Sequence, residues 1–175
     1  MSSFISLLNQ IACGQDLSDE QAESAVRAMM SGDVSPALSG AFLWGLKTKG
    51  ESVQEIAGAA RAMRGLMSGV QSPDGAIDVC GTGGDKSGTY NISTAVSFVL
   101  AGSGVPVAKH GNRAATSKSG AADVLAALGV NLDADFSLIE RAIAEANVGF
   151  LFAQRHHGAI KHVMPVRKEL QIPTV

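Results

Sequence analysis

The sequence predicts an α/β protein: a small N-terminal helical domain over residues 1–70, then over 71–175 the first part of a parallel-sheet α/β domain. Three observations carry that prediction. Apolar residues recur at helical spacing through the first seventy positions. Short apolar runs then alternate with helical patterns, the texture of a parallel sheet. Two loops of small residues each follow an apolar run and precede a helix.

Phe4, Leu7, Leu8 and Ile11 share one helical face, and Gly14 ends that segment. Ser18 with Gln21 has capping-box spacing and opens a helix through Ala22, Ala25, Val26, Met29 and Met30, stopped by Gly32. Ser35 with Pro36 starts a third helix, because proline suits the first helical position; it ends near Gly50. Ser52 with Glu55 repeats the capping box before Ile56, Ala60, Met63 and Leu66. Residues 68–76 are turn-rich. Beyond them the spacing predicts strands at 77–80, 105–108 and 148–153, and a fourth beginning at 172. Helices are predicted at 93–101, about 120–128, about 136–146 and within 159–170. Because the sequence stops as that last strand starts, the second domain reads as truncated.

The composition narrows the function class. The 175 residues are 46% hydrophobic with a net charge of −2, so no global charge favours nucleic acid or an anionic membrane. Cys13 and Cys80 lie far apart and outside metal-type spacing, which reads as reduced thiols in a cytoplasmic protein. Residues 1–14 lack the basic start and small-residue cleavage site of a signal peptide, and no apolar run is long enough to span a bilayer.

The first small-residue loop is DVCGTGGDKSGTYNIST, residues 78–94. It fits neither a Walker loop, since Asp85 precedes Lys86 and Ser87, nor the dinucleotide fingerprint, whose third glycine would fall at Lys86. The context nevertheless suits an anion. Gly81, Gly83 and Gly84 can present backbone N–H groups at close range, and the following helix N-terminus adds its unpaired N–H groups. Thr89, Ser93 and Thr94 offer hydroxyls to phosphate oxygens or to a hydrated cation. The second loop, KHGNRAATSKSG at 109–120, again follows a strand and precedes a helix, and it carries Lys109, His110, Arg113 and Lys118. Strand C-termini in an open α/β sheet share one edge where ligands bind, so the two loops together describe a site for a polyphosphorylated ligand.

A third cluster, RHHGAIKHVMPVRK at 155–168, has no acidic residue between Glu145 and Glu169. His156, His157 and His162 miss the spacing of a zinc helix, so the stretch reads as a positive helix face, solvated or collecting an anion.

GTGGD, NIST, KHGNRAATSKSGAADVLAALGV and HHGAIKHVMPVRKELQIPTV, in this order and spacing, resemble the anthranilate phosphoribosyltransferase family of tryptophan biosynthesis, and the resemblance runs through essentially the whole chain. It implies a helical domain that forms a homodimer surface and an α/β domain of the nucleoside phosphorylase-like type. The implied activity is transfer of the 5-phosphoribosyl group from phosphoribosyl pyrophosphate to anthranilate, releasing pyrophosphate with Mg²⁺. By motif position, Gly81, Gly84, Asp85, Thr89, Asn91, Ile92, Ser93 and Thr94 would line the phosphoribosyl pyrophosphate site. Lys109, His110, Gly111, Asn112, Arg113, Ala114, Ala115, Thr116 and Ser117 would form its second wall, with Ala121 beside it. Ser93 would be a Mg²⁺ ligand. Gly81, Asn112 and Arg167 would contact anthranilate, with His110 nearby. No residue reads as a general acid or base.

That chemistry suits the residues. Breaking the anomeric bond develops positive charge on ribose and negative charge on pyrophosphate, so backbone donors, cations and a metal around the leaving group are the useful devices. The weakly basic aromatic amine needs mainly placement in line. The chain departs from the family at Gly158, Gln171 and Pro173, and none of Asp123, Asp133 and Asp135 matches the family's acidic Mg²⁺ pair. Two competing readings are a pyrimidine nucleoside phosphorylase, against which KHGNR and PVRKEL argue, and a non-enzymatic nucleic-acid binder, against which the intact glycine loop and slightly negative charge argue.

Overall fold

The computed structural model describes residues 2–81, 90–114, 119–156 and 158–171. Gly83, Gly84, Asp85, Thr89, Ala115, Thr116, Ser117, Lys118, His157 and the strand expected at 172–175 lie outside the described residues. The chain packs as two compact units, Met1–Met67 with His157–Val175, and Ser68–His156.

The first unit holds α1 (Ser2–Ala12), α2 (Asp19–Ser31), α3 (Pro36–Lys49) and α4 (Val53–Gly65), joined by a 3-10 turn (Gly158–His162) and a later helix (Met164–Leu170). Both capping boxes form. The Ser18 hydroxyl accepts from Gln21 N–H while Gln21 Oε1 accepts from Ser18 N–H, and Ser52 and Glu55 repeat the exchange. Gly32 ends α2 at φ +86°, the left-handed conformation that glycine adopts without strain.

The core gathers Phe4, Ile11, Met29, Met30, Phe42, Leu43 and Leu46, and it is closed by Val163 and Val166 from the returning segment. Each such side chain contributes about 2 kcal/mol when fully buried. Helices α2 and α4 pack against each other at Gly58, where a Cβ would run into the Asp19 carbonyl and come within 2.9 Å of Ala22 Cβ and Glu23 N.

A buried ionic knot joins α3 and α4 to the loop before α2. Glu55 accepts from the backbone N–H of Leu17 (2.9 Å) and of Ser52 (2.8 Å), and Lys49 Nζ lies 2.9 Å from its Oε2 and 2.5 Å from Asp16 Oδ1. Burial pushes the Glu55 carboxyl up, but these donors outweigh it and hold it below the ordinary carboxylate range. Burial likewise opposes the Lys49 charge, and Asp16 and Glu55 overcome it and raise the ammonium pKa.

The second unit contains α5 (Ile92–Gly102), β1 (Val107–Gly111), α6 (Ala121–Ala127), α7 (Phe136–Ala146), β2 (Val148–Phe152) and α8 (Ala153–His156). β1 and β2 pair in parallel with Lys109 opposite Phe150, as expected for a sheet with helical crossovers. Two sequence expectations shift. The strand expected at 77–80 is a single parallel bridge from Ile77 to Val107, and the strand expected at 105–108 starts two residues later. The cause of the first is Asp78: its carboxylate accepts the His110 N–H at 3.2 Å, so a side chain takes the next ladder position.

The helix expected within 159–170 is also divided. It becomes the 3-10 turn and then α9 (Met164–Leu170), because Pro165 lacks an N–H and fits only the first turn of a helix. Arg155, His162 and Arg167 therefore stand on three separate elements rather than on one helix. His156 is not solvated. It is 1% exposed, stacks on Phe136 with centroids 4.7 Å apart, and shares a 2.7 Å hydrogen bond through Nδ1 with the Ser68 carbonyl. The Ser68 N–H donates in return to the His156 carbonyl at 2.9 Å.

Candidate functional site

The C-terminal end of β1 and the N-terminal end of α5 form the candidate site in the second unit. Side chains alternate along β1, so Val107 and Lys109 point to the buried face. Lys109 is 2% exposed, and its Nζ donates to Ser93 Oγ at 3.4 Å. Burial lowers the Lys109 pKa, with the charges of Asp78 and Cys80 acting the other way. Among the described residues this ammonium makes no ion pair. A buried cation left in that condition is poised for an anion.

Asn91 organises the start of α5. Its Oδ1 accepts from Thr94 N–H (3.1 Å) and from Ser93 Oγ (3.2 Å), which caps the helix. Its Nδ2 reaches across to the Ser119 carbonyl at 3.1 Å, tying α5 to the far end of the second loop. The two loops that the sequence placed at one sheet edge are therefore joined, through Asn91 on one side and Lys109 on the other.

Thr94 is buried, and its hydroxyl has no hydrogen-bond partner among the described residues. Ile92 is exposed, and Gly81, also exposed, stands at the mouth of the glycine stretch. Gly111 is glycine for a packing reason: a Cβ would lie 2.9 Å from both Ala121 Cβ and the Phe150 ring. His110 is partly buried, and burial lowers its imidazole pKa, reinforced by His156 and Lys109 and opposed by Asp78.

The second loop begins as the sequence places it, with Asn112 Oδ1 accepting the Arg113 N–H at 2.8 Å. Arg113 lies 3.1 Å from Asp123 Oδ1, with its guanidinium 5.9 Å from the Phe152 ring centroid. Arg167 falls in the other unit, on α9, where it lines a cavity of about 40 Å³ with Met29, Met30, Phe42 and Glu55. A larger cavity of about 220 Å³ lies in the second unit against Ser97, Phe98, Lys109, Leu125, Leu138 and Phe150.

Sequence reasoning passed over Asp78 and Asp123 as functional residues. An acid inside the apolar run IDVC was the available signal for the first, and an acid in the first turn after a small-residue loop for the second. For a divalent cation, the described residues offer the Ser93 hydroxyl, a hard oxygen donor, and no group of three His, Cys, Asp or Glu side chains. The Ser93 hydroxyl therefore fits as one oxygen ligand to such a cation.

Comparison with known proteins agrees with this fold. Residues 5–67 match the model of the glycosyl transferase family helical bundle domain, and residues 73–175 match that of the glycosyl transferase family a/b domain. The anthranilate phosphoribosyltransferase of Rhodospirillum rubrum is 60% identical over 97% of this chain and 49% of its own length. That of Xanthobacter autotrophicus is 55% identical over 100% and 51%.

Among solved structures, anthranilate phosphoribosyltransferase from Thermus thermophilus superposes with a TM-score of 0.86 at 45% identity, over 95% of this chain and 51% of that one. The Saccharomyces cerevisiae enzyme in complex with PRPP and Mg superposes at 0.88 with 27% identity, over 99% and 52%. The chain spans about half the length of the curated relatives it matches. With its helical segment and its parallel α/β unit matched in order, the chain belongs to the glycosyl transferase family.

Proposed function

We propose that this protein serves the transfer of the 5-phosphoribosyl group from phosphoribosyl pyrophosphate to anthranilate, a pentosyl transfer of tryptophan biosynthesis that yields N-(5-phosphoribosyl)anthranilate and pyrophosphate. The observation that carries the reading is the buried Lys109 ammonium, without an ion pair among the described residues, donating to Ser93 at the capped start of α5. The relatives named above, and the yeast structure that contains PRPP and Mg, support it.

In this reading the pyrophosphate lies between the two loops. Lys109 offsets its charge, and the positive end of the α5 dipole favours it. Asn91 holds both loops at fixed separation, so the donors are oriented before the leaving group departs. Ser93 Oγ supplies one ligand to Mg²⁺, which when bound neutralises charge developing on pyrophosphate. The second loop from Lys109 to Ala114, with Ala121 behind it, forms the other wall, and Gly81 and Asn112 face the acceptor. The chain needs no protein general base, since the amine nucleophile requires placement more than activation. The exposed Ile5 of α1 and Trp44 of α3, on helices packed against each other, support a homodimer through the helical unit. The free thiols of Cys13 and Cys80 support a cytoplasmic setting.

The test is calorimetric titration of phosphoribosyl pyrophosphate into the chain, with and without Mg²⁺, beside a Gly84→Val, Lys109→Ala variant. Saturable, Mg²⁺-strengthened binding that the variant loses is expected. A folded chain that takes up no ligand under either condition would sink the reading.

A further inference from the structure

The second loop is closed by an acid that the proposed reaction does not use. Asp123 sits in the first turn of α6, and its two carboxylate oxygens do different work. Oδ2 accepts the Ala114 N–H at 2.9 Å, and Oδ1 accepts from the Arg113 guanidinium at 3.1 Å. One residue away, the Ala122 N–H donates to the Asn112 carbonyl at 3.1 Å. Residues 112–114 and 120–123 thus make a neck, fastened at three points. Gly120 leaves room for it: a Cβ there would press into Ala114 N and lie 2.5 Å from Asp123 Oδ2 and 2.7 Å from Arg113 C.

The magnitudes say which contact matters. The Arg113 and Asp123 side chains are 56% and 38% exposed, and a surface ion pair of that kind contributes little alone. The backbone bond to Ala114 is different, because it fixes main-chain position rather than a mobile side chain. It is also the first cause holding the Asp123 carboxyl below the ordinary carboxylate range, ahead of Arg113. A carboxylate accepting a main-chain N–H together with a guanidinium is a strong, directional arrangement.

We propose that Asp123 is a positioning residue for the phosphoribosyl pyrophosphate site, setting the neck of the second loop so that Asn112, Arg113 and Ala114 present their groups to the ligand. The inference rests on the proposed function above. It adds a residue outside the ligand-contacting stretch, one that touches neither pyrophosphate nor acceptor and acts only through Ala114 and Arg113.

The experiment compares the full chain with D123A, D123N and, as a control at an exposed acid, D133A. Two quantities are read: hydrogen exchange of the Ala114 amide in the ligand-free protein, and calorimetric affinity for phosphoribosyl pyrophosphate with Mg²⁺. Misplacing a ligand-binding loop costs roughly tenfold or more in such sites. D123A should therefore speed Ala114 exchange and weaken binding by about that factor, while D133A changes neither.

Asparagine keeps an acceptor for the Ala114 N–H and gives up the ion pair. D123N should therefore retain slow exchange and lose only about two- to fivefold in affinity. Should the alanine variant not fold, the asparagine variant decides alone. Fast Ala114 exchange with unchanged affinity would overturn the proposal, and so would weakened affinity with unchanged exchange. If the parent chain itself binds nothing, the functional reading fails and takes this inference with it; if the parent binds and D123A binds equally, only the inference fails.

Discussion

Lys109 Nζ lies 3.4 Å from Ser93 Oγ, so a nearly inaccessible ammonium is satisfied among the described residues by a neutral hydroxyl rather than by a carboxylate. Protein interiors rarely hold a cation this way, because desolvation exceeds what one hydroxyl returns. The arrangement stores affinity for an anion at the expense of stability.

Lys109→Met should therefore stabilise the ligand-free protein and disable the site. Removing a poorly compensated buried charge raises stability by about 1–3 kcal/mol, read as a higher midpoint in urea. Affinity for phosphoribosyl pyrophosphate with Mg²⁺ should fall by roughly 100-fold, the loss expected for a charge-assisted contact to phosphate. The pH dependence has a defined sign. The folded pKa of Lys109 lies below its ordinary 10.5, so the unfolded chain binds more protons between the two values. Parent stability should carry a component that rises with pH through that window, absent in Lys109→Met. A less stable methionine variant would contradict this account.

Glu55 behaves oppositely, because its partners are sufficient. Glu55→Ala leaves Lys49 buried beside a lone exposed Asp16 and orphans the Leu17 and Ser52 N–H groups, an expected cost of about 3–5 kcal/mol in urea unfolding. The folded carboxyl pKa lies below 4.5, so its contribution is fully present above that value and is lost as pH falls through the folded pKa. The gap between parent and variant should narrow over that acid range. A gap that stays constant down to strongly acid pH would show that packing, not charge, sets the cost.

Asn91 separates capping from loop tethering. Asn91→Asp keeps the acceptor for Thr94 N–H but cannot donate to the Ser119 carbonyl. Thermal stability should stay near the parent's, whereas Asn91→Ala should lose about 1 kcal/mol with the cap. Both should bind phosphoribosyl pyrophosphate more weakly, by about tenfold, if the tie between the loops is what orients the donors. Equal affinity in Asn91→Asp and parent would remove the tether from the account.

The helical unit was largely legible because its signals are local. Ser18 with Gln21 and Ser52 with Glu55 announced two helix starts, and both exchanges of hydrogen bonds are present. The sequence put the ends of the two loops at one sheet edge, but not the bond that joins them. Asn91 and Ser119 are 28 residues apart, and no local pattern marks their bond.

What failed did so where a distant group decided the outcome. The apolar run at 77–80 has strand composition, yet the Asp78 side chain takes the His110 N–H and ends the pairing. His156 read as part of a basic face because its partners, Ser68 and Phe136, lie far away in sequence. Pro165 fits only the first turn of a helix, so the segment at 159–170 divides there.

The reciprocal bonds between Ser68 and His156 have a consequence for how the chain is made. They join the first and last residues of the α/β unit, so that unit is a closed insertion between two pieces of helical sequence. The helical core waits for Val163 and Val166, which leave the ribosome after the entire insertion. The helical core thus closes only after residues 68–156 have been made.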